Sequence, residues 1–236
     1  MRTVILHYHL FKNAGTSLDN VLKQNFADRW VTREFPGQNN TAQVIEWIQD
    51  TPEAVAFSSH TMMGPLPRIE GVRVVSIMLL RDPIDRIKSA YRFERNQDVE
   101  TFGAVLARHT DLEGYVKVRL SMPHDRQCRN FQTQRLSALS PGQAPEFARA
   151  MGALDLLSVV GLVSDFSGTL HRLADAVSDV FPDFRCQDVH DNRTPRAPEE
   201  DDEITMLLRS QNADDLALID HVKRGWGAPV PAYGLS

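Results

Sequence analysis

The run VRVVSIMLL, Val72–Leu80, is the most apolar of the chain and leads without a break into RDPIDRIKSAY. A strand that is apolar on both faces must be covered on both sides, which is the situation of a parallel sheet packed between helices. The residues that follow suit a helix start. Asp82 is a good N-cap and Pro83 a good first helical residue, and Ile84, Ile87 and Tyr91 then mark one helical face. The stretch predicts a central strand that hands over directly to a helix.

The same handover is predicted at the N-terminus. Residues 2–10, RTVILHYHL, read as a buried strand, and Leu18, Val21, Leu22 and Phe26 recur at helical spacing over residues 16–26. A short strand is expected at residues 53–60 and a late one at 154–166, with the helix SGTLHRLADAVSDVF after it. Strand-helix alternation of this kind predicts an α/β fold. The length of 236 residues suits one domain, 1–236, with a mostly helical insertion at about 97–150. Residues 188–203 are polar and proline-bearing, hence a loop, and a C-terminal helix is expected to about Arg224.

Composition narrows the function classes. Net charge is 26 − 31 = −5, which argues against a general nucleic-acid binder, since backbone binding rests on basic surface. Arg68, Arg73, Arg81, Arg86, Lys88, Arg92 and Arg95 nonetheless make the middle of the chain locally basic. Cys128 and Cys186 are far apart and in no metal-like spacing, so a reduced compartment is expected. No apolar run approaches a membrane span and no cleavage-site pattern opens the chain. The expectation is a cytoplasmic protein.

Between the first strand and the first helix lie Lys12, Asn13, Ala14, Gly15, Thr16 and Ser17. The first turn of a helix has unpaired N–H groups and a partial positive charge. A glycine there lets backbone approach a ligand, the hydroxyls add donors, and the lysine adds a mobile charge. Together they suit a phosphate or a similar anion. A tight turn with a solvated lysine would use the same residues. The order differs from the Walker A loop, in which the lysine directly follows the last glycine.

HLFKNAGTSL instead resembles the 5′-phosphosulfate-binding loop of sulfotransferases that use 3′-phosphoadenosine 5′-phosphosulfate (PAPS). It looks like the form found in the heparan sulfate 2-O- and 6-O-sulfotransferases and their bacterial relatives, roughly His-x-x-Lys-x-x-Gly-Thr-Ser. The resemblance implies a three-layer, P-loop-like parallel sheet flanked by helices. It implies PAPS as donor with no metal, and a small-molecule or glycan acceptor, a carbohydrate hydroxyl above all. The loop from Lys12 to Ser17 would hold the 5′-phosphosulfate, with Lys12 neutralising charge on the leaving phosphate.

The family's second element, Arg-Asp-Pro after a central strand with a serine further on, is matched by Arg81 and Ser89. These would hold the 3′-phosphate. Arg81 could equally neutralise Asp82 or Asp85, with Ser89 a packing residue. His60, after the second strand, resembles the catalytic base of the 2-O branch, with Ser59 where that branch has glycine; a histidine capping a strand reads the same way. CRNFQTQRLSAL resembles a segment near the acceptor, which would give Asn130, Gln132 and Arg135 to sugar hydroxyls, although a polar helix face has the same pattern. Asn192 and Arg193 fall where the family carries a loop over the adenosine and 3′-phosphate, or in a plain surface loop.

His7 and His9 point to one face of the first strand. With no third ligand evident, they read as hydrogen-bonded core histidines. Two other classes remain open at this stage: a P-loop small-molecule kinase, and a non-catalytic nucleotide- or glycan-binding protein on the same scaffold.

Overall fold

The computed structural model describes residues 1–186 and 203–225. Five strands form one parallel sheet: β1 (Arg2–Tyr8), β2 (Trp30–Thr32), β3 (Ala56–Ser59), β4 (Val72–Leu80) and β5 (Val159–Leu162). Their order is β2-β3-β1-β4-β5. Tyr8 at the end of β1 pairs with Ser59 at the end of β3 and with Met78 of β4, so β4 runs two residues further toward Leu80. The carboxyl ends of β1, β3 and β4 therefore share one edge, where open α/β sheets bind ligands.

Around the sheet lie α1 (Gly15–Phe26), α2 (Thr41–Asp50), α3 (Pro83–Arg95), α4 (Phe102–His109), α5 (Leu112–Ser121), α6 (Phe131–Ser137), α7 (Glu146–Leu154), α8 (Phe166–Val177), α9 (Glu203–Gln211) and α10 (Ala213–Gly225). Alternation along the strands makes two cores. Ile5, Ile77 and Leu79 face α1 and α8, through Leu18, Leu22, Leu170 and Leu173. Val4, Leu6, Met78 and Leu80 face α2, α6, α7 and α10, through Trp47, Leu136, Leu154 and Leu218. This is the three-layer α/β arrangement, built because both faces of β1 and β4 are apolar. A third cluster, around Ile87, Tyr91, Tyr115 and Leu208, joins α3 to α5 and α9.

The handover after β4 is as the sequence predicts. The Asp82 carboxylate accepts from the N–H groups of Ile84 (3.0 Å) and Asp85 (3.1 Å), and Pro83 opens α3. A cap of this kind is worth about 1 kcal/mol.

Three expectations change. The late strand shrinks to the four residues of β5, because Glu146–Leu154 continues as α7 and a 3-10 turn, Val163–Asp165, follows Leu162. The edge strand β2 and the helix α2 occupy a stretch with no predicted element. The C-terminal helix is two helices broken at Asn212, whose buried side chain donates to the carbonyls of Cys128 (2.9 Å) and Leu208 (2.8 Å) and accepts from the N–H of Asn130 (3.0 Å). An asparagine that serves another segment in this way marks the break.

Candidate functional site

The turn from β1 to α1 is wound tightly without glycine at its left-handed positions. Lys12 (φ 63°) and Ala14 (φ 56°) take them, which costs on the order of 1 kcal/mol or more each and needs support from the surroundings. Asn13 supplies it. Fully buried, it donates from Nδ2 to the Leu79 carbonyl and to Gln132 Oε1, both at 2.8 Å. Its side chain holds the loop in shape. Gly15 is not at a left-handed φ. A Cβ there would lie 2.0 Å from His9 Cδ2 and 2.3 Å from Nε2, so glycine is required to seat the His9 ring. The first turn of α1 carries no acidic residue, and Thr16 and Ser17 follow at its amino end.

The second turn closes on the first. The Arg81 guanidinium donates to the Lys12 carbonyl at 2.9 Å, and the Arg81 N–H donates to Gln132 Oε1 at 2.8 Å. Burial pushes the Lys12 ammonium below its ordinary range, and the charges of Arg81 and Arg92 push it further the same way. Burial also lowers Arg81, against the attraction of Asp85. Asp85, Ser89 and Arg92 stand four and three residues apart on α3, hence on one face. None of Lys12, Arg81 and Arg92 is ion-paired with a carboxylate among the described residues. Three cations that raise one another's potential beside an open helix N-terminus form a site that an anion relieves.

A chain of histidines and carboxylates flanks this cradle. His60 follows β3 with its side chain 49% exposed. Its Nδ1 donates to Glu34 Oε1 at 2.7 Å, and Glu34 also accepts from Thr61 Oγ1 at 2.7 Å and from the His60 N–H at 3.2 Å. Burial raises the Glu34 carboxyl, but hydrogen bonds from His60 and Thr61 outweigh it and hold the group below its usual range. The His60 ring lies 3.8 Å from the His9 ring, centroid to centroid, with a tilt of 33°. His9 Nδ1 and His7 Nδ1 each donate to one oxygen of Asp19 on α1, both at 2.8 Å. Burial pushes the Asp19 carboxyl up; the two imidazole hydrogen bonds more than reverse this and hold it well below the carboxylate range. Burial lowers His7, against the pull of Asp19.

The sequence profile of the sulfotransferase family matches residues 1–155, a span that includes both turns and His60. The chain belongs to the sulfotransferase family. Over 201 residues it is also 38% identical to an uncharacterized protein of Archaeoglobus fulgidus, a match that covers 81% of this chain and 79% of that relative. The family places sulfuryl transfer as the general chemistry, and the parallel sheet fits its fold.

Within this sulfotransferase, the remaining expected site residues divide. Gln132 is buried, and all four hydrogen bonds of its amide are made: Oε1 with Asn13 and Arg81, Nε2 with the Arg81 carbonyl (2.8 Å) and Asp215 Oδ2 (3.3 Å). It leaves nothing for a sugar hydroxyl and acts as a strut between the two turns. Asn130, at φ 39°, donates to Asp214 Oδ2 at 2.9 Å and accepts from the Asp215 N–H at 3.3 Å, so it faces α10. Arg135 does come to the site edge, where it donates to the His60 carbonyl at 2.8 Å. Asn192 and Arg193 lie outside the described residues.

The core histidines are hydrogen-bonded as the sequence predicts, but a third metal-ligand type of group is present after all. The donor atoms of His7, His9 and Asp19 lie within 4.8 Å of one another. Each Nδ1 sits at hydrogen-bond distance from a separate Asp19 oxygen, the geometry of a shared acceptor.

Glu34, Asp19 and Phe93 carry no motif that would single them out. Phe93 lies under the Lys12 ammonium, 4.2 Å from Nζ to the ring centroid. For Arg92 the signal was there, three residues after Ser89 on the same helical face.

Proposed function

We propose that this protein transfers a sulfuryl group from PAPS to a hydroxyl of a carbohydrate acceptor. The observation that carries the reading is the contact between the Arg81 guanidinium and the Lys12 carbonyl, which brings the two anion-binding turns to one place. A donor with phosphate groups at both ends of one nucleoside suits two such turns.

In this reading the backbone N–H groups of Gly15 and Thr16, with the hydroxyls of Thr16 and Ser17, hold the 5′-phosphosulfate. Arg81 and Ser89 hold the 3′-phosphate, and Arg92 adds charge from the same helix face. Asn192 and Arg193 cover the nucleoside, by resemblance to the family. The acceptor oxygen attacks sulfur, the sulfur–oxygen bond to the 5′-phosphate breaks in line, and Lys12 meets the charge that develops on the leaving phosphate. The acceptor's proton goes to Nε2 of His60. No step calls for a divalent ion, because Lys12, Arg81 and Arg92 supply the positive charge. The carbohydrate class rests on the resemblance to the heparan sulfate branch.

A cytoplasmic location belongs to the same proposal. Cys128 and Cys186 are both free thiols, which suits a reducing compartment. No helix among the described residues is long and apolar enough to cross a membrane.

Calorimetry with 3′-phosphoadenosine 5′-phosphate (PAP), in chelator and without magnesium, tests the donor. Binding that depends on the 3′-phosphate is expected, and a screen of glycans with sulfur-labelled PAPS then tests the acceptor. Tight, magnesium-dependent ATP binding with no preference for the 3′-phosphate would overturn the reading.

A further inference from the structure

The histidine that takes the acceptor's proton is held from two sides by residues with no role in donor binding. Glu34 accepts from His60 Nδ1 at 2.7 Å, while His9 lies against the other side of the imidazole with ring centroids 3.8 Å apart. We propose that Glu34 and His9 are positioning residues for His60, fixing its tautomer and its ring plane so that Nε2 presents a lone pair to the acceptor. This rests on the reading of His60 as base.

The tautomer follows from the acceptor. An ionised carboxylate only accepts hydrogen bonds, so the Nδ1 facing Glu34 carries the proton and Nε2 is left bare while the ring is neutral. When Nε2 takes the acceptor's proton, the imidazolium that forms faces the Glu34 charge. The other charged and titratable groups around the ring are His9, with Asp19 behind it, His7 beyond, and Arg135, which donates to the His60 carbonyl at 2.8 Å.

The ring plane follows from packing. His9 is pinned at one edge by Asp19 (2.8 Å) and is seated against Gly15, where a Cβ would come within 2.0 Å of its ring. The first residue of α1 thus presses on His9, and His9 presses on His60. Donor turn and base form one packed stack, so they keep a fixed spacing across the line of sulfuryl transfer.

The test uses the full chain labelled with 15N-histidine, saturated with PAP, and reads the two-bond nitrogen–proton correlations of His60, assigned from His60→Ala. At a pH where the ring is neutral, the native protein is expected to show the Nδ1–H form. Glu34→Ala is expected to move His60 toward the Nε2–H form that a free imidazole prefers, with PAP affinity within twofold of native. Gly15→Ala is expected to move the His60 Cε1–H resonance by displacing the ring stacked on it. A native His60 in the Nε2–H form, a tautomer unmoved by Glu34→Ala, or a Cε1–H resonance unmoved by Gly15→Ala would each overturn the proposal. These signals need neither turnover nor an identified acceptor, so their failure is separate from failure of the sulfuryl-transfer reading, which the PAP titration decides.

Discussion

Asn13 Nδ2 and Gln132 Oε1 meet at 2.8 Å across 119 residues of sequence. Gln132 reads the main chain of Arg81 with both Oε1 and Nε2, and Asn13 holds two left-handed residues in place on either side of it. The shape of the two turns is therefore set from behind, by a buried amide whose hydrogen bonds are all made within the chain.

Gln132→Ala removes that strut: the Arg81 N–H and carbonyl lose their side-chain partner, Asn13 Nδ2 keeps only the Leu79 carbonyl, and Asp215 loses one donor. Unsatisfied buried groups cost about 1–3 kcal/mol each, partly relieved by water where it can enter. The variant is expected to lose about 2–4 kcal/mol of unfolding free energy by urea titration. Its PAP affinity is expected to fall as well, since both turns lose their common support. Unchanged stability would show that Gln132 is not the strut.

In the proposed PAP complex each turn also holds a phosphate directly. A charge-assisted hydrogen bond is worth about 1.5–3 kcal/mol, so Arg81→Ala and Lys12→Ala are each expected to weaken PAP by about 10- to 100-fold. Calorimetry reads this directly. Adenosine 5′-phosphate, which lacks the 3′-phosphate, is expected to be far less sensitive to Arg81 than to Lys12.

Arg92 offers a contrast, because it is exposed and acts through solvent. Arg92→Ala is expected to weaken PAP by about 3- to 10-fold at low salt, and the difference is expected to fade near 1 M salt, where the Debye length is about 3 Å. The loss at Arg81, half-enclosed against Lys12, is expected to persist. Titrations at two ionic strengths separate the two arginines.

The parts of this structure that were legible in the sequence are local. β1, β4 and the two handovers to α1 and α3 follow from apolar runs, an N-cap aspartate and a proline, all within one turn of each other. The Val44, Trp47 and Ile48 spacing that buries α2 could be read in the same way. β2 could not, since three residues carry no period. The site splits along the same line. Lys12, Arg81 and His60 are marked by their place at strand ends. Glu34 reaches His60 across 26 residues and Gln132 reaches Arg81 across 51, and neither pairing leaves a local trace. Gly15 is instructive, because the sequence shows that glycine is wanted but not that the neighbour is an imidazole.

Acid should unfold the protein in two stages, and the groups around Asp19 set both. His7 has its folded pKa lowered, first by burial, from the ordinary 6.5. Below about 6.5 the unfolded chain therefore binds a proton that the fold refuses, and stability falls with pH by up to roughly 1.4 kcal/mol per unit until the folded His7 also titrates. Asp19 has its folded pKa depressed, so the stability it contributes is present above its unfolded value near 4 and is lost as pH drops through the folded value. Urea midpoints measured from pH 7.5 to 5 are expected to decline from about 6.5 downward. His7→Gln, which keeps a donor for Asp19 and removes the titration, is expected to flatten that decline while leaving the loss below pH 4 in place. A flat native profile between pH 7 and 5 would show that the buried imidazole at position 7 keeps an ordinary proton affinity in the fold.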